Sequence, residues 1–411
     1  MGTVRIKMLK PGMVLADDVR DIRGRLLLAR GRSIGPEHIR IFKMWGIPQV
    51  EIMGVAGDAE AAPAPPPDPA WLATVRKETE RLFQHTQREH PAVQEIFNQA
   101  VLHRAAQGSF PAQVNLPIEA PAADRREPDK DFLEKFMEKD IALPEIPSIV
   151  YELNEVIANP LSSADQMALV INKSPSLTSL LLKIVNSSFY GLPSRVDRVS
   201  LAVTLIGTRE LSALALGINI ISMFQSIPGS LITMRSFLQH SLACGIVSRL
   251  LAAQKNMRQT EQMFTSGLLH DLGRLILFIY FPQEALGALG HAGQHSSCLY
   301  QVEKKRLGCH HAHIGKYLLN RWRLPLIIEN AVCFHHDPED AQDPVPAAIV
   351  HVADILVNAL GIGTSGERLV PPLNARVWDA LELSPSCFEV VTHQAVNQLN
   401  TLEFLLPDKK P

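Results

Sequence analysis

Apolar residues recur every three or four positions from about residue 131 to residue 360, the spacing of one face of an α-helix. Helix-start signals punctuate this stretch. Ser148 precedes Ile149-Val150-Tyr151-Glu152-Leu153, and Ser163-Ala164-Asp165-Gln166 has the spacing of a capping box. Ser174-Pro175 places an N-cap before an N1 proline, ahead of Leu177 to Leu182. Ser200 and Thr208 stand before two further apolar runs, the second extending to Phe224. No strand-like alternation interrupts the series. The expected fold class is mainly α: a multi-helix domain over residues 131–360 around one large core.

The flanking regions follow other patterns. Residues 1–56 read as a small α+β module. Val4 to Met8 alternate with basic residues, and Met13-Val14-Leu15 and Leu26-Leu27-Leu28 are short apolar runs. Pro11-Gly12 and Arg23-Gly24 are turn signals between them. A short helix is expected from Glu37 to Trp45, closed by Gly46, with a last strand at Val50-Glu51-Ile52. Residues 57–130 are two Pro/Ala-rich linkers around a helical piece, Trp71 to Gln107, which Pro91 divides. That piece reads as a spacer or a dimerising hairpin, so a homodimer stays open. Residues 361–411 form a C-terminal extension. It has a Gly/Ser/Pro loop, a short helix near Ala375–Leu381, and a longer helix from Ser384-Pro385 to about Leu406.

Composition narrows the picture. Hydrophobic residues make up 46% of the 411 positions, enough for a real core, and the formal net charge is −2. Bulk charge therefore signals neither nucleic acid nor membrane as a partner. The N-terminal module is locally basic, with ten Lys/Arg against five Asp/Glu in residues 1–53, which reads as solvated strand faces. The five cysteines are scattered without a Cys-x-x-Cys pair, pointing to a reducing compartment and away from a disulfide framework. The longest apolar run, Leu211–Phe224, suits a buried helix better than a membrane span. The reading is a soluble, cytoplasmic protein.

The candidate chemistry lies in Gly267-Leu268-Leu269-His270-Asp271-Leu272-Gly273-Arg274. An ionisable pair inside so apolar a run is costly to bury unless a partner or a metal compensates. Ten of the fifteen histidines fall between His240 and His351, where an even spread would put about four. His240, His270, Asp271, His311, His335, His336 and Asp354 give seven nitrogen and oxygen donors from five helical segments. These are ordinary ligands for a divalent metal such as Fe, Mn or Zn, as one ion or two. Asp271 would bridge two ions. Arg274, one turn beyond His270, could face a phosphate, so Asp271 and Arg274 are the candidate catalytic residues. His310 and His313 read as surface or outer partners of His311. His291 and His295 fall in a glycine-rich loop with no assigned role, and Glu303 is a candidate ion-pair partner near the site.

The order His, His-Asp, His, His-His, Asp resembles the HD superfamily, with the additional histidines where two-metal HD-GYP enzymes carry them. The closer resemblance is to the HDOD domain, the HD-related output domain of bacteria. It rests on "LPEIPSIVYELNEVIANP", "INKSPSLTSLLLKIVNSSFYG", "VSLAVTLIGTREL", "LLHDLGRLIL", "HHAHIGKYLLNRWRLP", "CFHHDP" and "IVHVADIL". The first 50 residues also resemble the small module that often precedes HD-GYP domains. Two departures stand out. Ser174 replaces the acid usual in the family's Asp-Pro pair. The Gly-Tyr-Pro element is missing, for only 18 positions separate His336 from Asp354. The resemblance implies a signal-transduction output module that acts on an unknown signalling protein or nucleotide, and points away from cyclic-di-GMP hydrolysis. A metal-dependent phosphohydrolase acting on another phosphoester and a metal- or nucleotide-responsive sensor are the alternatives.

Overall fold

The computed structural model describes residues 2–20, 26–44, 47, 49–53, 68–108, 131–138, 147–159, 162–187, 189, 190, 192, 194–224, 227 and 232–407. The expected turn at Arg23-Gly24, Gly46 and most of both linkers lie outside the described residues. The N-terminal module has four short strands and one helix: β1 (Gly2–Arg5), β2 (Val19–Arg20), β3 (Leu26–Leu28), α1 (Pro36–Met44) and β4 (Gln49–Ile52). β1 pairs antiparallel with β4, Gly2 opposite Ile52, and β2 with β3. Leu15, Ile34, Phe42 and Ile52 bury almost completely in a core of the module's own.

The helical piece between the linkers is α2 (Pro69–Leu82) and α3 (Pro91–Ala106). Pro91 opens α3 at N1, with His90 as its cap: Nδ1 accepts from the Ala92 amide at 3.2 Å. This piece is not a detached spacer. Val75, Phe83, Ile96 and Phe97 join the main core, and the buried Arg104 donates to the Ala359 carbonyl at 2.8 Å. Most of the pair's apolar residues are thus packed against the chain itself, Leu102 staying exposed.

The main domain is a succession of helices. α4 (Phe132–Glu138), α5 (Ser148–Ala158), α6 (Ala164–Asn172), α7 (Pro175–Val185), α8 (Val199–Ile206) and α9 (Thr208–Ser222) come first. Ser163 and Gln166 form the expected capping box, and Ser174 caps α7. Then come α10 (Met234–Gln254), α11 (Thr260–Leu269), α12 (Leu272–Tyr280), α13 (Pro282–His295) and α14 (Leu299–Leu307). α15 (His311–Arg321), α16 (Leu326–Cys333), α17 (Pro344–Leu360), α18 (Ala375–Leu381) and α19 (Cys387–Thr401) complete the order. His291 and His295 therefore lie on a helix rather than in a loop. Packing of Ala285, Ala288, Leu289 and Ala292 outweighs the weak helix propensity of the intervening glycines.

Two hydrophobic clusters fill the domain where a single core was expected. Phe237 belongs to one and Leu242 to the other; Leu269 and Leu268 divide in the same way. His240 and His270 sit at these two changeovers, so the polar cluster occupies the seam between the cores. Among the described residues no single helix is long and apolar enough to cross a membrane.

Candidate metal centre

Close helix crossings bring the ligand-bearing segments together. A Cβ on Gly267 would lie 2.5 Å from the Cys244 carbonyl oxygen, and one on Gly245 2.8 Å from that of Phe264, so α10 and α11 meet backbone to backbone. α12 crosses α15 more closely still: a Cβ on Gly273 would fall 1.9 Å from the His311 carbonyl oxygen. His270 and Asp271 form the corner between α11 and α12. His311 opens α15, His335 and His336 follow α16, and Asp354 lies in mid-α17.

All seven predicted donors converge in the interior, none more than 9% exposed. They fall into two groups joined by Asp271. On one side, His240 Nε2 lies 3.6 Å from Asp271 Oδ2 and 3.3 Å from Asp354 Oδ1. His270 Nε2 lies 3.1 Å and 3.5 Å from the same oxygens. On the other side, His311 Nε2 is 2.9 Å from Asp271 Oδ1. His335 Nε2 and His336 Nε2 stand 3.4 Å and 3.2 Å from that His311 nitrogen.

The outer hydrogen bonds set the tautomers. His270 Nδ1 lies 2.8 Å from the Gly267 carbonyl, and His335 Nδ1 lies 2.7 Å from that of Val332. A carbonyl only accepts, so in both rings Nδ1 carries the proton and a neutral ring turns the Nε2 lone pair inward. His311 Nδ1 donates to Glu303 Oε2 at 2.6 Å, the carboxylate–histidine arrangement that orients metal ligands. Arg274 Nη2 is 2.9 Å from the same Nδ1, but two donors cannot bond each other. His351 secures the second layer, its Nδ1 donating to the His335 carbonyl at 2.7 Å while Nε2 accepts from the Asn374 amide at 3.2 Å. His310 is buried and caps α15, with His313 a turn further on.

The charges ask for a cation. Burial alone would raise Asp271, but Arg274, His270 and His311 outweigh it and hold the carboxyl well below its ordinary range. Burial likewise opposes ionisation of Asp354, which the imidazoles of His240 and His270 beside it overcome. Glu303 is brought down to about 2, burial again outweighed, here by His311 and Arg274. Arg274 and the imidazoles of His270 and His311 are what keep these carboxylates ionised, so a metal-free site balances its charge only with protonated imidazole. The aspartates draw that proton onto His270, whose pKa rises from 6.5 to about 10 against its burial. Burial and neighbouring imidazoles push His335 and His336 well down, leaving them neutral donors. The buried His270 Nε2 has no hydrogen-bond partner. A divalent ion would answer the charge, the lone pairs and that orphaned nitrogen together.

Arg274 is not oriented outward toward a phosphate. It is 2% exposed, and its guanidinium engages Glu303 at 3.1 Å, Asp271 at 3.3 Å and the Ser365 hydroxyl at 2.8 Å. Its place in this geometry is to hold Asp271 and Glu303. Ser365 comes from the loop after α17, whose contact with Arg274 sequence spacing could not show. Cys244, one turn after His240, lies in the same cluster with Sγ 3.6 Å from His240 Nε2. Tyr300 stacks on His336 with ring centroids 4.1 Å apart.

Residues 143–338 match the HDOD domain, and the chain carries that domain. An uncharacterized protein of Treponema pallidum (strain Nichols) is 26% identical over 212 residues, 51% of this chain and 41% of that protein. The chain therefore spans about two fifths of the length of that relative. The fold is shared with an HDOD domain protein of unknown function from Geobacter sulfurreducens (TM-score 0.50, 22% identity, covering 64% of this chain and 88% of that one). It is also shared with a Shewanella amazonensis protein named as a candidate phosphohydrolase (TM-score 0.52, 20% identity, covering 66% and 97%).

Proposed function

We propose that this chain is an HD-type regulatory module whose centre holds one or two divalent ions and relays a state to a signalling partner, without turning over a phosphoester. The observation that carries the reading is a full donor set that is also sealed. None of the seven donors is more than 9% exposed, which leaves a phosphoester no open approach to them. Ser365 from the loop after α17 bonds Arg274, and Tyr300 from α14 stacks on His336. A bound ion would clamp α10, the α11–α12 corner, α15, the end of α16 and α17 across the two cores. His240, His270, Asp271 and Asp354 would hold one position and His311, His335 and His336 the other, with Asp271 shared. Metal occupancy then sets how firmly the two halves are joined, and that is a state a partner can sense. The partner is a signalling protein or a nucleotide.

The bridging Asp271 favours phosphohydrolysis as a second reading, since paired metal positions that share a carboxylate suit activation of a water beside a phosphoryl group. One experiment separates the two. Metal-loaded protein is offered simple phosphomono- and diesters and nucleotides while hydrogen exchange is followed with and without metal. The regulatory reading expects metal-dependent protection of α10, α11, α15 and α17, and no turnover above that of a His270→Ala/Asp271→Ala variant. Turnover that this double variant abolishes would establish the hydrolase instead.

A further inference from the structure

We infer that Cys244 is a ligand of the first metal position, and that its thiolate biases this position toward zinc or ferrous iron over manganese. This rests on the centre being a metal site at all. His240 and Cys244 lie one turn apart on α10, so their side chains share a face. That face is pressed onto α11 by the Gly245 and Gly267 crossing, which leaves Cys244 fully buried beside His270. His240, Cys244, His270 and Asp354 each offer one donor atom, all mutually within 4.8 Å.

Three of the donor–donor spacings match those of donors around one ion at near-tetrahedral angles. A metal about 2.0–2.1 Å from imidazole nitrogen and about 2.3 Å from sulfur sets those donors about 3.6 Å apart. The observed separation of Cys244 Sγ and His240 Nε2 is 3.6 Å. The carboxylate edges, Asp354 Oδ1 to His240 and to His270, are 3.3 and 3.5 Å, against about 3.4 Å expected for nitrogen and oxygen donors. A two-histidine, one-cysteine, one-carboxylate set is softer than histidine and carboxylate alone, and soft sulfur favours zinc and iron over manganese. Binding forms a metal–sulfur bond and releases the thiol proton to solvent. No electron transfer is involved.

The test is cobalt substitution of the full chain, read by absorption. Wild type should show the near-ultraviolet thiolate-to-cobalt charge-transfer band beside the visible ligand-field bands. Cys244→Ser and Cys244→Ala should keep the ligand-field bands and lose the charge-transfer band, while Cys309→Ser keeps both. In competition, wild type should prefer zinc to manganese, and Cys244→Ser should narrow that preference by roughly tenfold or more. A wild-type cobalt protein with ligand-field bands but no charge-transfer band would overturn the inference and leave the metal centre standing. Failure of wild type to take up any cobalt would remove the centre and this ligand together.

Discussion

Gly273→Ala tests whether the approach of α12 and α15 positions the second half of the centre. The new Cβ would sit 1.9 Å from the His311 carbonyl oxygen and 2.7 Å from the Gly315 amide, both backbone atoms. Clearing the 3.0 Å below which Cβ atoms essentially never come requires the helices to part by about 1 Å. Overpacking of this kind costs about 1–3 kcal/mol, and a backbone neighbour that cannot rotate away puts this site near the upper end. Replacing a helical glycine by alanine returns up to about 1 kcal/mol, so the expected net loss is about 2 kcal/mol. The same parting draws His311 Nε2 from Asp271 Oδ1, now 2.9 Å away, and weakens the His311, His335, His336 position. Gly315→Ala is the control. Its Cβ would meet the Val332 side chain at 3.1 Å, and the Gly273 amide only at 3.6 Å. A methyl group can yield where a carbonyl cannot, so strain and helix propensity nearly cancel and the change should stay within about 1 kcal/mol. Denaturant unfolding of both variants gives the stabilities, and metal analysis gives the stoichiometries. The reasoning is refuted if Gly273→Ala matches wild type in both, or if Gly315→Ala is equally damaging.

Three other outcomes follow from the same geometry. Glu303→Gln, which removes the carboxylate that receives the His311 Nδ1 proton, should weaken metal binding at the second position by roughly 10–100-fold in a calorimetric titration, with the first position little changed. In metal-free protein the folded-state pKa of His270 lies above its unfolded value of 6.5, at about 10. The stability it confers is therefore complete below about pH 6.5 and lost as pH rises through 10, at up to about 1.4 kcal/mol per pH unit. Melting temperatures with and without chelator should show the metal-free protein weakening between pH 7 and 10 and the loaded protein much less so; parallel profiles would refute the assignment. Arg104→Ala should destabilise by about 1–3 kcal/mol in denaturant unfolding, because it strips the Ala359 carbonyl of its side-chain donor and unpins α3 from α17.

Much of this was legible in the chain, for identifiable reasons. Caps such as Ser163 and Ser174 act within four residues, so local sequence announces α6 and α7. The seven donors were legible because imidazole and carboxylate have few other reasons to interrupt apolar helices. Contacts set by tertiary packing were not. The sequence lets Arg274 face a phosphate because Ser365, which it bonds, lies 91 positions away. The α2–α3 pair read as a spacer because linker composition says nothing about where the helices dock. Cys244 belongs to no Cys-x-x-Cys pair, the sequence pattern by which a cysteine ligand is usually recognised. The overlooked signal was its four-residue spacing from His240, which puts both on one helix face.

Metal content tests the central claim most directly. Protein purified without a metal-affinity tag is analysed for Fe, Mn and Zn beside the His270→Ala/Asp271→Ala variant. A metal centre predicts about one or two equivalents in wild type and none in the variant. Wild-type protein that stays metal-free after anaerobic reconstitution with each ion would contradict it, and the buried cluster would then be a protonated His–Asp network joining the two cores.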